Sequence, residues 1–159
     1  MIAGNHDFLA EKQPSRFRGI MKACGFTYLE DSSCEIDGVK FYGSPWTPWF
    51  GGWAFNLRRG SQAIRAMWDA IPGDTDVLVT HGPPKGVLDS NGLEECGCDD
   101  LGKVSGGIPL HLFGHIHEGH GYQYRGQHQQ LAVNCAVAYG ARNASVIDFV
   151  EKKAFMVKQ

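Results

Sequence analysis

The chain has 159 residues, 15 Lys and Arg against 17 Asp and Glu, and a formal net charge of -2 at neutral pH. This length suits a single domain, 1–159, able to bury a core, and hydrophobic and charged fractions of 43% and 20% exclude a disordered or low-complexity chain. The small net charge excludes a polyanion-binding field, so nucleic acid read by sequence is not an expected partner.

The chain opens on Met1-Ile2-Ala3-Gly4-Asn5-His6-Asp7, an apolar triplet that reads as the tail of a central strand, broken by glycine and followed by Asn and His. Phe17, Ile20, Met21 and Cys24 recur at helical spacing behind Ser15, with Gly25 just past the end, which predicts an amphipathic helix capped by Ser15 and stopped by glycine. Phe26 to Leu29 reads as a short strand. Cys34 to Ile36 and Val39 to Tyr42 flank Asp37-Gly38 and predict a tight hairpin. Ser44 to Asn56, with Trp46, Trp49 and Trp53 among prolines and glycines, is too broken for a regular element; it covers a core edge or stacks a ligand. Ser61 caps a second helix through Ile64, Met67, Trp68 and Ile71.

Val77-Leu78-Val79-Thr80 then reads as a strand ending on His81 and halted by Gly82-Pro83-Pro84. A polar, glycine-rich stretch follows, with one short helix near Asp99 to Val104 and with Cys96-Gly97-Cys98 expected in a solvated loop. Leu110 to Phe113 is a second buried strand, and Gly114-His115-Ile116-His117-Glu118-Gly119-His120-Gly121 places a cluster of imidazoles at its exit. Tyr122 to Arg125 with Gln130 to Cys135, and Ser145 to Val150 with Ala154 to Val157, predict two closing hairpins. Helix and strand alternate in front and strands dominate behind, the pattern of a sheet sandwich flanked by helices. No apolar run approaches ~20 residues. With no basic, then apolar, leader and with five cysteines in no framework spacing, the expected setting is cytoplasmic and the thiols reduced.

Gly4-Asn5-His6-Asp7, His81-Gly82-Pro83-Pro84 and Gly114-His115-Ile116-His117, in that order, resemble the last three motifs of the calcineurin-like metallophosphoesterases. Tyr42-Gly43-Ser44-Pro45-Trp46, Trp53-Ala54-Phe55-Asn56 and the stretch from His115 to Gly121 are similar to the branch of the brain-expressed metallophosphoesterase-domain proteins and class III cyclic-nucleotide phosphodiesterases. The resemblance implies an α/β fold, a two-sheet sandwich flanked by helices (αββα). It also implies metal-dependent hydrolysis of a small-molecule phosphoester, a phosphodiester above all, by metal-activated water. Carried over by motif, Asn5, His81 and His115 hold one divalent ion and His117 belongs to a second. His6 would donate a proton to the leaving oxygen or steady the phosphoryl group, and His120, near the cluster in sequence, is either a substrate contact or a loop residue. His111 reads as a structural or surface residue, Glu118 as a loop residue or a support behind the donors rather than a ligand, and His128 as a solvated turn residue. Imidazole and amide oxygen suit Mn, Fe, Ni or Zn better than Ca.

The family pattern normally continues upstream with Asp-x-His and Gly-Asp-x-x-Asp, which carry the carboxylates of a dinuclear centre. This chain has no Asp-x-His, and its one Gly-Asp, Gly73-Asp74, sits in a turn-like stretch. At ~3.5 Å and an effective dielectric of ~20, two divalent ions repel by roughly 19 kcal/mol. The expectation is a domain lacking its N-terminal strands, a piece of a longer protein. It holds at most one ion per chain and has an open sheet edge that a second copy or a partner could complete. The alternative reading is a weakly active or inactive half-domain that binds a single metal or a phosphate ligand.

Overall fold

The computed structural model describes residues 1–126, 130–137, 146–151 and 153–158. Two helices come first, α1 (Phe8–Lys12) and α2 (Pro14–Ala23). The cap differs from expectation. Proline, which has no N–H to satisfy, occupies the first helical position, so Gln13 is the cap and Ser15 lies inside the helix. Gly25 at φ +78° ends it as the pattern predicted.

β1 (Ser32–Ile36) and β2 (Val39–Ser44) form the predicted hairpin, with Asp37 and Gly38 both left-handed as a two-residue turn requires. The aromatic loop holds only the two-residue parallel pair β3 (Thr47–Pro48) and β4 (Asn56–Leu57). In α3 (Gln62–Asp69) the Ser61 hydroxyl accepts from the Ile64 N–H at 3.2 Å, the expected cap. There follow β5 (Val77–Thr80), α4 (Asp99–Val104), β6 (Leu110–Phe113), β7 (Gly121–Arg125), β8 (Gln130–Asn134), β9 (Val146–Val150) and β10 (Lys153–Lys158).

Six strands make one sheet in the order β1-β2-β5-β6-β8-β7. β2, β5, β6 and β8 are parallel neighbours, and β1 and β7 close the two edges antiparallel. Side chains alternate between faces. Tyr42 and Leu78 pack on Ile64 and Trp68 of α3 and on Leu101 of α4. On the opposite face Val77, Leu110, Leu131 and Val133 meet Ala154, Ile147 and Phe149 of the β9–β10 hairpin. The layers are therefore helix, six-stranded sheet and hairpin, a mixed α/β fold with helices on one face and strands on the other.

Three expectations need correction. Phe26 to Leu29 and Met1 to Ala3 belong to no strand. One backbone bond, Leu29 N–H to Met1 O at 2.8 Å, and the terminal amine on the Thr27 carbonyl are too little pairing for a ladder. Met1 to Ala3 is thus no central strand; Ala3 packs with Ala10, Phe17 and Phe55 at the flank. Finally, Cys98 is not solvated: it is 1% exposed in the core, where its sulfur accepts from the Trp68 indole N–H at 3.3 Å. Residues 127–129, which include His128, and Ser145 lie outside the described residues.

Candidate metal centre

β5 and β6 run parallel with Val77 opposite Leu110 and Val79 opposite Leu112, so both leave the sheet at the same edge, where open α/β sheets place their sites. His81 follows β5 directly, and His115 comes one residue after Gly114 beyond β6. Two backbone bonds tie the exits together: the His81 N–H donates to Ser44 O at 3.2 Å and the Gly114 N–H to His81 O at 3.0 Å. The Gly4 to Asp7 loop is folded on itself, with the Gly4 N–H donating to Asp7 Oδ2 at 2.7 Å and the Asp7 N–H to Gly4 O at 3.0 Å. Gly4 is required by contact: a Cβ there would stand 2.6 Å from His81 Cε1 and 2.8 Å from its Nδ1.

These exits meet. His81 Nε2 lies 2.7 Å from the buried Asn5 Oδ1, and the His81 and His115 ring centroids are 4.7 Å apart at 55°. His115 is left-handed at φ +69°, an unfavourable setting for a residue with a Cβ that turns the chain sharply between β6 and His117. Phe50 packs at 5.0 Å on the His115 ring, and the Trp53 ring stands edge-on to His6 at 4.5 Å. His6 is exposed beside this centre.

Burial holds both central imidazoles neutral. It pushes His81 down to about 3 and His115 down to about 4, with the neighbouring imidazoles adding to the effect: His115, His6 and His117 on His81, and His117 and His6 on His115. An unprotonated imidazole and an amide oxygen are lone-pair donors, so the set Asn5, His81 and His115 fits a borderline divalent ion. Among the described residues no three His, Cys, Asp or Glu side chains converge closely enough to hold an ion by themselves. A site here would need the amide oxygen of Asn5 beside the two imidazoles, and none of these three candidate donors is a carboxylate that could offset a second dication.

His115 and His117 open onto a cavity of about 390 Å³ whose lining includes Trp49, Phe50, Arg59, Cys96 and Glu118. His120 is not among its lining residues. His111 is fully buried; its Nε2 is 2.8 Å from Thr80 Oγ1, and that hydroxyl donates to Gly82 O at 2.7 Å. The hydroxyl proton is spent on Gly82, so His111 is the donor in the pair and braces the turn behind His81. Sequence reading left the aromatic loop undivided. In the structure Trp53 packs on His6, Phe50 packs on His115, and Trp46 instead donates to Asp31 Oδ2 at 2.8 Å.

The profile described as calcineurin-like phosphoesterase matches residues 1–119. Metallophosphoesterase domain-containing protein 1 of Homo sapiens is 43% identical over 126 residues, covering 76% of this chain and 38% of that protein. A UPF0046 protein of Caenorhabditis elegans is 35% identical over 169 residues, covering 96% of this chain and 57% of its own. The chain thus spans between about two fifths and three fifths of the length of these curated relatives. Among solved structures, TT1561 of Thermus thermophilus aligns over 98% of this chain and 69% of its own with a TM-score of 0.58 and 13% identity, a likeness of fold.

Proposed function

Because this chain belongs to the calcineurin-like phosphoesterase family, whose members typically bind divalent metals, we propose that it carries the metal-binding half of a metal-dependent phosphoesterase acting on phosphodiesters. The observation that carries the reading is the approach of Asn5 Oδ1 to His81 Nε2 at 2.7 Å with the His115 ring beside them. Asn5, His81 and His115 would hold the ion, with His117 adjoining. A bound divalent ion supplies Lewis-acid polarisation of a phosphoryl oxygen and lowers the pKa of water. Mn, Fe and Zn suit these donors.

The protein's own residues do the rest. His6, exposed and edge-on to Trp53, can carry a proton to the departing alkoxide or phenoxide oxygen. Phe50 packs on the His115 ring and would limit its rotation. The cavity between Trp49, Phe50 and Arg59 offers room for an organic group on a small phosphoester, and His120 would contact substrate only from outside that cavity.

The absence of a carboxylate from the donor set supports loading of one ion per chain. It also favours the second reading, a half-domain of low activity. The test is elemental analysis of metal per chain after Mn²⁺ loading, beside turnover of bis(4-nitrophenyl) phosphate, with His81→Ala as control. One ion per chain, lost in His81→Ala, with turnover that depends on Mn²⁺ supports the phosphoesterase reading. One ion without turnover supports the half-domain. Two ions per chain contradict the charge argument, and none contradicts the site.

A further inference from the structure

We propose that Asn134, a fully buried residue at the end of β8, is the positioning residue that sets the His115-Ile116-His117 turn. The inference rests on the metal-centre reading above. β6 and β8 are parallel neighbours with Phe113 opposite Asn134, so Asn134 sits one strand over from the point where the chain leaves for His115. Both its amide protons are used and both reach out of the sheet. Nδ2 donates to Ile116 O at 2.8 Å and to Leu88 O at 3.0 Å. Its Oδ1 accepts from the Ala136 N–H at 3.0 Å. With two carbonyls on the nitrogen and one N–H on the oxygen, only one orientation of the amide satisfies the site.

The two carbonyls it gathers lie at or directly beside left-handed non-glycine residues. Ile116 lies between His115 and His117 and directly after the left-handed His115 at φ +69°; Leu88 is itself left-handed at φ +52°. A non-glycine residue persists in that region only where its surroundings hold it there. Asn134 ties both segments to the sheet in one side chain. The third wall is Gly119: a Cβ there would meet Leu88 O at 2.0 Å and Asn134 Nδ2 at 2.9 Å, so the turn closes against the amide with no room to spare. Asn134 does not touch the ligand atoms. Its action is through the backbone on which His115 and His117 stand.

The comparison uses the full chain, metal-free and Mn²⁺-loaded, as wild type, Asn134→Asp, Asn134→Ala, His115→Ala and Ser61→Ala. The last removes a distant helix cap and serves as a control for lost stability alone. In Asn134→Asp a carboxylate faces two carbonyls without a proton to give either; in Asn134→Ala both lose their donor. The readouts are the ring ¹H–¹⁵N resonances of His115 and His117 in metal-free protein and the Mn²⁺ Kd from water-proton relaxation. The expected result is shifted rings in both Asn134 variants, unshifted rings in Ser61→Ala, and Mn²⁺ binding weakened about 10- to 100-fold.

Unshifted rings with wild-type Kd in the Asn134 variants, while His115→Ala abolishes binding, would overturn the proposal and leave the metal reading standing. Shifted rings in a wild-type background that binds no Mn²⁺ would support Asn134 as the positioning residue and overturn the metal reading instead. Failure of both Asn134 variants to fold would also overturn it, because the residue would then be part of the core rather than a support for the turn.

Discussion

Acid should destabilise this protein well above the range in which carboxylates titrate, and His111 is where the effect is easiest to follow. Its ring is fully buried on the helical face of the sheet, 4.9 Å from Phe113, and burial together with the Arg125 charge pushes it down to about 3. Nε2 is committed to Thr80, and among the described residues Nδ1 has no partner, so a second ring proton would sit as an unpaired charge in the core. The folded value is depressed below the ordinary ~6.5, so the unfolded chain binds more protons. Stability is therefore complete above about pH 6.5 and is lost as pH falls from there toward 3. Between pH 7.5 and 5 one such histidine removes about 2 kcal/mol. His81, down to about 3, and His115, down to about 4, act with the same sign in metal-free protein and bring the sum to roughly 6 kcal/mol if the three act independently. Urea unfolding of chelator-treated protein at half-unit steps from pH 7.5 to 5 measures the loss directly, and His111→Leu should remove about one third of the pH dependence. A free energy of unfolding that is flat over this window would refute the reasoning, as would an unchanged pH slope in His111→Leu.

Other substitutions separate the site from its scaffold. Gly4→Ala drives a methyl into the His81 ring, so Mn²⁺ affinity should fall by at least ~10-fold and thermal stability by about 1–3 kcal/mol, measured by relaxation titration and urea unfolding. Gly119→Ala meets a backbone carbonyl that cannot swing away; it should cost more than Gly106→Ala, where a Cβ meets nothing within 4 Å, and unfolding midpoints of the pair decide it. Ser61→Ala loses the α3 cap for about 1 kcal/mol and should leave Mn²⁺ binding unchanged.

The sequence made the scaffold legible wherever one local rule acted alone. Asp37-Gly38 demanded left-handed turn geometry and took it, Ser61 stood before an amphipathic run and capped it, and the apolar runs of β5 and β6 became adjacent buried strands. Errors came where two rules competed. Ser15 is a good cap residue, but Pro14 is better placed at the first helical position, and the cap moved to Gln13. Cys98 sits in an acidic, glycine-rich stretch that reads as solvent-facing, yet the Trp68 indole draws it inside. Phe26 to Leu29 has the composition of a strand without a neighbour that pairs with it along its length, and pairing is not a property of the segment itself.

The candidate donors stood out because they recur in one wording, an apolar run that breaks into Asn or His, and the fold brings Asn5, His81 and His115 to one edge. What supports them followed the same wording and was passed over. Leu131-Ala132-Val133-Asn134 is also an apolar strand ending on a polar side chain, and β8 is also a parallel neighbour of β6. The difference is direction. Asn5 and His81 present their polar atoms to each other with the His115 ring beside them, whereas the Asn134 amide turns back under the loop and is consumed by two carbonyls and one N–H. Residue type and strand position foretell that a side chain will stand at the mouth of the sheet. Whether it then faces a ligand or the backbone that carries the ligands depends on which loops pass overhead, here those of Leu88 and Ile116, and their path is fixed by contacts more than ten residues apart in the chain.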